Sequence, residues 1–439
     1  MRGKTMLAVS AAIVMAAAGA AFGQAGTPAR DGSEGAPKET TGAPAAARGS
    51  TEALDAAHRA KAMNMIAAGS AFLRSTQDKT TGAWSAPTPS AEGKTQPSLP
   101  GITALAMMGL SGPGQTDADR AAVAMGIKSL LNFQQKDGGV YDRMLPSYNT
   151  SLAVSALARV RPQTPQTKAA VERGVEFLRQ LQFGEASNPE IGGSEAPKKV
   201  EKDHPFYGGV GYGRSGRPDN SNLMMFMQAL QDAGVSPEDE AVKRALVFLE
   251  RTQMDDRVNS MEFAKGSRQG GFVYATVPDA ESVDSKPGQS HAGKIEETLS
   301  DGTKASRLRA YGSMTYAGFK SYLYAQLPKS DQRVQSALGW IERNYTVDEN
   351  PGMGSSGLYY YYVVFARALA AWGAPTVGML DAEGKPTGKS LNWRENLIDK
   401  LATLQNEDGS FKSVDARWME NNPDLITAYA LIALGAAVE

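Results

Sequence analysis

The chain contains no cysteine. That single absence removes disulfides, thioester chemistry, thiol nucleophiles and thiolate metal sites, and rules out a lipid anchor carried on a cysteine. Histidine is almost as scarce. His58, His204 and His291 are scattered over an early helical segment and two loops, without the short, face-specific spacing of metal ligands. No metal site and no cofactor is expected. An excess of charge of either sign is missing too: 46 basic residues are spread among 47 acidic ones, which leaves no footprint for nucleic acid. A disulfide-free domain must be held by its core, and the roughly 390 residues after Ser50 suffice for a large one.

At the N-terminus Arg2 to Lys4 precede an apolar run from Met6 to Phe22, followed by Gly23 and Gln24. This is the pattern of a secretory signal. Residues 1–23 are expected to be removed on export, leaving a periplasmic or extracellular protein that is not integral to the membrane; an uncleaved anchor is the other reading. Residues 24–52 are Ala, Gly, Pro, Ser and Thr with scattered charge, too poor in large apolar side chains to offset the entropy of ordering, and read as a disordered leader. Residues 53–439 read as one domain.

That domain is repetitive. Gly-x-x-Phe-Leu-x-x-x-Gln occurs as Gly69, Phe72, Leu73, Gln77 and again as Gly174, Phe177, Leu178, Gln182. Related copies end at Gln134, Gln253, Tyr345 and Gln405. The last position always lies eight residues after the first, a little over two helical turns, so each copy marks one face of a helix. After most copies comes a glycine with a nearby aromatic residue: Gly82 and Trp84, Gly138 and Tyr141, Gly271 and Tyr274, Gly409 and Phe411. A second, more apolar helix follows each time, as in Ile102 to Leu110 or Leu223 to Leu230. The first helices carry charge on one face and suit an outer layer; the second are apolar around most of their circumference and must be enclosed. Six such pairs predict an all-α protein, an (α/α)6 toroid with inner apolar and outer amphipathic helices.

The segments Phe72 to Gln77 with Gly82 and Trp84, and Leu404 to Phe411, resemble the Gln-Trp repeats of squalene-hopene cyclases and the prenyltransferase and squalene oxidase repeat. The likeness covers residues 60 to 437 and extends, through His204 to Tyr212, Tyr311 to Ala317 and Asp348 to Met353, to secreted single-toroid bacterial proteins. It implies the terpenoid cyclase and protein prenyltransferase α/α-toroid superfamily. It also implies that Gln77, Gln134, Gln182, Gln253 and Gln405, with Trp84 and Phe411, are structural repeat positions.

The catalytic groups of those relatives are not in place. The acid motif Asp-x-Asp-Asp of hopene cyclases is absent, and the nearest string, Asp117-Ala-Asp119, fits an N-terminal helix cap. Asp255-Asp256 reads as solvated loop. A zinc protein prenyltransferase would need a ligand set that a cysteine-free chain cannot supply.

Two long insertions, 184–217 and 254–310, should meet at one mouth of the toroid. The first leads through Tyr207, Tyr212 and Arg217 into Asp219, read as a helix N-cap or as an acid at the cavity mouth. Tyr359, Tyr360, Tyr361 and Tyr362 cannot all face one way on a helix, so at least one should enter the centre. Tyr316 is a further lining candidate, and Asp348 and Glu349 are the next carboxylates to consider. The segment from Gly373 to Asn392 belongs to the opposite mouth. Three functions stay open: binding or transforming a hydrophobic, isoprenoid-like ligand in the central cavity, with terpene cyclase-like chemistry if it is an enzyme; a non-catalytic binding or scaffold protein of the cell envelope, partners unknown; or a polysaccharide-active α/α-barrel enzyme.

Overall fold

The computed structural model describes residues 54–85, 97–185, 199–213 and 217–439. The expected signal and leader lie outside the described residues, as do 186–198 and 214–216 of the first insertion. Leu54–Glu439 form one compact unit.

Twelve α-helices run in chain order among the described residues: α1 Ala56–Thr76, α2 Pro100–Leu110, α3 Asp117–Asn132, α4 Pro146–Arg159, α5 Pro165–Leu181, α6 Asn220–Asp232, α7 Glu240–Glu250, α8 Gly312–Tyr324, α9 Gln332–Asn344, α10 Leu358–Trp372, α11 Trp393–Ala402 and α12 Pro423–Val438. Odd-numbered helices form the outer ring and even-numbered ones the inner ring. Each inner helix packs against the next, and α12 returns to α2, so the ring is closed. The inner helices are enclosed as their composition requires: every residue of α2 is buried, as is nearly all of α12 from Leu425 onward. Among the described residues no helix is long and apolar enough to cross a membrane.

The repeat positions hold the two rings in register. The small residue lets an outer helix approach the inner helix of the preceding pair. A Cβ on Gly126 would meet Met107 Cγ at 2.8 Å, one on Gly174 would meet Val154 Cγ2 at 2.5 Å, and one on Gly69 would meet Leu431 Cδ2 at 2.8 Å. The last of these is the same contact made across the ring closure, α1 on α12. The glutamine amide then donates twice, once to the glycine carbonyl of its own turn and once to the following outer helix. Gln77 Nε2 reaches Gly82 O and Ala122 O, both at 2.9 Å. Gln134 reaches Ala170 O, Gln182 reaches Ala241 O and Gln253 reaches Arg333 O. Gln405 donates to Met65 O at 3.0 Å and so ties the sixth pair to the first. In the fifth pair Tyr345 takes this place, its hydroxyl accepting from Asn396 Nδ2 at 3.1 Å.

The turn residues correct one sequence assignment and supply one that was not made. The glycine of the fourth turn is Gly270, not Gly271: Gln253 bridges to Phe272, as Gln134 does to Val140 and Gln405 to Phe411. In the third pair the turn glycine is Gly208, within the first insertion. These glycines have positive φ, and a Cβ on Gly208 would lie 1.8 Å from Arg244 O. Asp119 does complete a capping box with Thr116. Asp255, expected in solvent, is fully buried, because Arg257, Arg268 and Ser336 surround its carboxylate.

Two hairpins decorate the ring. β1 Lys294–Thr298 pairs with β2 Lys304–Leu308 inside the second insertion, and β3 Thr376–Leu380 pairs with β4 Pro386–Asn392 between α10 and α11.

Candidate functional site

The inner helices all begin at one mouth, and both insertions arrive there. Arg217, from the first, donates through Nε to Pro278 O at 2.6 Å and through Nη2 to Gln289 of the second. Thr276 donates to Pro205 O at 2.9 Å. Between these segments lies a cluster of aromatic and polar side chains around the buried Asp219.

Asp219 is the N-cap of α6. Its Oδ1 accepts the Asn222 amide N–H and its Oδ2 accepts Asn222 Nδ2, each at 2.9 Å. The N-cap reading of Asp219 is thus the one its hydrogen bonds show. At 1% exposure the carboxyl is pushed upward, chiefly by burial, with Arg217 and Asn222 pulling the other way.

Phenols surround it. Tyr212 and Tyr274 face each other hydroxyl to hydroxyl at 3.3 Å, and the guanidinium of Arg217 lies 5.1 Å from the centre of the Tyr274 ring. Tyr148 packs on Tyr212 with ring centres 6.1 Å apart. His291 packs on Tyr274 at 4.3 Å and on Trp418 at 5.9 Å, with Tyr311 beyond it at 6.5 Å. Tyr360 reaches across the ring to Ser221, oxygen to oxygen at 3.2 Å, and stacks edge-on against Tyr429.

Tyr148, Tyr212 and Tyr360 are partly exposed, yet all three phenols are pushed up by burial, that of Tyr148 to about 12. Partial exposure at such depth is the property of side chains that wall an interior recess. Tyr274 and Tyr311 are raised as well, by burial and then by the charge of Asp219. Burial and the nearby Arg217 and Arg417 hold His291 down at about 4, so it is neutral at pH 7.

A second buried carboxyl, Glu420, caps α10 from outside. Its two oxygens accept the backbone N–H groups of Tyr360 at 2.9 Å and Tyr359 at 3.2 Å, replacing a side-chain cap that Gly357 cannot provide. Burial raises Glu420 to about 7. The neighbouring Trp418 has φ +54°, and its ring lies 3.0 Å from where a Cβ of Gly357 would be. A glycine is required there for the indole to sit against the start of α10.

Of the expected mouth residues, the recess contains Asp219, Tyr212 and Tyr360. Tyr207 instead packs in a separate small core with Phe183, Val200 and Phe206, its hydroxyl 3.3 Å from Glu185. Tyr359, Tyr361 and Tyr362 are fully buried between the rings, donating to the carbonyls of Lys412, Thr346 and Val347. Tyr316 is buried against Tyr361 and Phe365. Asp348 is a surface group whose side chain is 81% exposed and paired with Lys400, and Glu349 is exposed beside it. Sequence reasoning missed Tyr148, Tyr274, Tyr311, Tyr429, His291, Trp418 and Glu420. A signal existed for part of this set: Tyr148 and Tyr311, like the expected Tyr360, sit at the cap or in the first turn of an inner helix.

Asp55, His58 and Glu395, on the outer ring, bring one potential metal-ligating atom each within 4.8 Å. Both ring nitrogens of His58 already face carboxylates, Asp55 at 2.8 Å and Asp399 at 3.3 Å. Asp55 also caps α1.

No family model matches this chain, and no curated protein does. Solved structures do. A family 76 glycoside hydrolase from a bovine Bacteroides thetaiotaomicron strain superposes with TM-score 0.50 at 9% identity, over 85% of this chain and 77% of that one. A variant of the type II terpene cyclase MstE from Scytonema, in complex with geranylgeranyl dihydroxybenzoate, gives 0.47 at 14% identity over 88% and 99%. A glycosidase in complex with glucose gives 0.45 at 12% identity over 88% and 99%. The chain thus has an α/α-toroid fold, which it shares with that glycoside hydrolase. At these identities the likeness is one of fold.

Proposed function

We propose that this chain is an exported toroid protein that binds a saccharide at the Asp219 mouth. The observation that carries the reading is the kind of aromatic residue gathered there. Around Asp219 the rings are phenols, Tyr148, Tyr212, Tyr274, Tyr311 and Tyr360, with Trp418 and His291 at one side. These hydroxyls, the Arg217 guanidinium and the carboxyl groups already bond to one another or to the backbone, and a hydrocarbon chain would leave their remaining lone pairs and N–H groups unused in a buried place. A sugar offers what the wall lacks: C–H faces for the rings and hydroxyls for phenols and carboxylates.

The centre of the ring also disfavours a long apolar ligand. Tyr360 and Ser221 join α10 to α6 across it, and nearer the other mouth Arg367 spans from α10 to Gln228 of α6 and toward Met108 of α2. The basic and apolar N-terminal segment supports export. Asp219 and Glu420, both raised by burial, are the groups suited to giving a proton to a glycosidic oxygen if binding leads to cleavage.

The test is a glycan array followed by calorimetry on the ligands found, with reducing-end release measured in the same samples. Binding that falls at least tenfold in Asp219→Asn and in Trp418→Ala is expected. If no glycan binds and organic extraction of the exported protein recovers an isoprenoid, the saccharide reading is wrong and the hydrophobic one returns.

A further inference from the structure

The opposite mouth, where the inner helices end, holds a set of cations that the site above does not use. Lys320 of α8 is 1% exposed and faces only neutral acceptors, with Met224 Sδ and Gln228 Oε1 each 3.0 Å from Nζ. Arg367 of α10 reaches the same Gln228 oxygen at 3.5 Å and Met108 Sδ at 3.8 Å. Tyr324 donates to that oxygen too, at 3.3 Å, so three donors converge on one amide carbonyl. Two carboxylates on this side act on Arg367 at longer range: Asp232, engaged by Arg159 at 2.9 Å and by Gln228 Nε2 at 3.0 Å, and Glu439 at the end of α12. Among the described residues no ion pair joins Lys320 or Arg367 to an acid.

A buried cation with no carboxylate in direct contact is costly, and a guanidinium does not escape by losing its proton at neutral pH. Partial negative charge at the C-terminal ends of the six inner helices supplies some compensation, but it acts over about the last turn and gives no acceptor to the guanidinium fork. Arg367 and Tyr324 are partly exposed, so the place is reachable from this mouth.

We propose that this mouth binds a small oxyanion, a carboxylate or a phosphate group, between Arg367 and Lys320. Such a group presents two or three oxygens at once: one edge meets the guanidinium fork, a further oxygen takes an N–H of Lys320, and Gln228 keeps the Tyr324 hydroxyl. The burial that drives the Lys320 ammonium well below its usual range is the same burial that would strengthen its bond to an anion.

The experiment is thermal unfolding of the domain at pH 7 in sodium phosphate, in sodium acetate and in sodium chloride at matched ionic strength. A rise in Tm of about 2 °C or more over chloride is expected in phosphate, acetate or both. Which salt acts distinguishes a phosphate ligand from a carboxylate. The rise should vanish in Lys320→Met and in Arg367→Met, which without anion should be at least as stable as the parent because each removes a buried group that has no carboxylate in contact. Lys320→Gln and Arg367→Gln serve if either methionine variant fails to fold. No rise beyond chloride in the parent, or a rise retained in the variants, would overturn the proposal.

Discussion

The hydroxyl of Tyr360 lies 3.2 Å from that of Ser221, on inner helices that are not neighbours in the ring. The pair therefore spans the toroid at its Asp219 mouth. Tyr360→Phe removes the bridge and keeps the ring against Tyr429. Stability should change by about 1 kcal/mol or less, since one partly exposed neutral hydrogen bond is lost. Saccharide affinity should fall more than stability does, as calorimetry and urea unfolding on one preparation will show.

Two glycines of similar backbone conformation should respond very differently to alanine. Gly208 has φ +81° and Gly234 has φ +76°. A Cβ on Gly234 meets nothing within 4 Å, whereas one on Gly208 collides with the Arg244 carbonyl. Gly234→Ala should cost about 1–2 kcal/mol, the left-handed penalty alone. Gly208→Ala should cost well over about 3 kcal/mol or prevent folding, because backbone must move. Denaturant midpoints of the two variants check the contrast.

Gln405→Ala should weaken the closure between the sixth and first pairs. It leaves the carbonyls of Met65 and Gly409 without their donor, at a cost of about 1–3 kcal/mol. Hydrogen exchange should rise first in α1 and α11, whose junction this amide fastens. Uniform loosening of all twelve helices would show that the amide is not local to the closure.

The mouth also carries two opposed pH dependences. Glu420 is raised from 4.5 to about 7, so the folded state holds the extra proton and stability falls as pH rises through that window. His291 is lowered from 6.5 to about 4, so its contribution is lost as pH falls through that window. Between about 4.5 and 6.5 the two slopes have opposite sign and partly cancel. Glu420→Gln should make stability climb more steeply with pH there, and His291→Asn should make it decline. Unfolding free energies measured at half-unit steps of pH decide it.

The ring was legible in the sequence because its fastening is local and repeated. An amide eight residues after a small residue meets a carbonyl at a fixed place on the next outer helix, so spacing alone marks it. The turn at Gly270 was misread by one residue because two glycines stand together and only the Gln253–Phe272 bridge chooses between them. The mouth was barely legible. Tyr148 and Tyr311 at least mark the starts of inner helices, but Tyr274 lies in a loop and Tyr429 within α12, and nothing near those two in the chain distinguishes a phenol facing the recess from one packed between rings. Asp255 was misjudged for a related reason: a charged string looks solvated, although the charges of Arg257 and Arg268 are what allow the carboxylate to be buried.

Thr76 at the end of α1 donates to Asp424 at the start of α12, at 2.6 Å. The first and last helices thus lie side by side in opposite directions, which brings Glu439 back toward the beginning of α1. The order of the six pairs is then a matter of where the backbone is cut. A circular permutant with Glu439 linked to Leu54, and new termini opened in the exposed turn between β3 and β4 at Glu383 and Gly384, should close into the same ring.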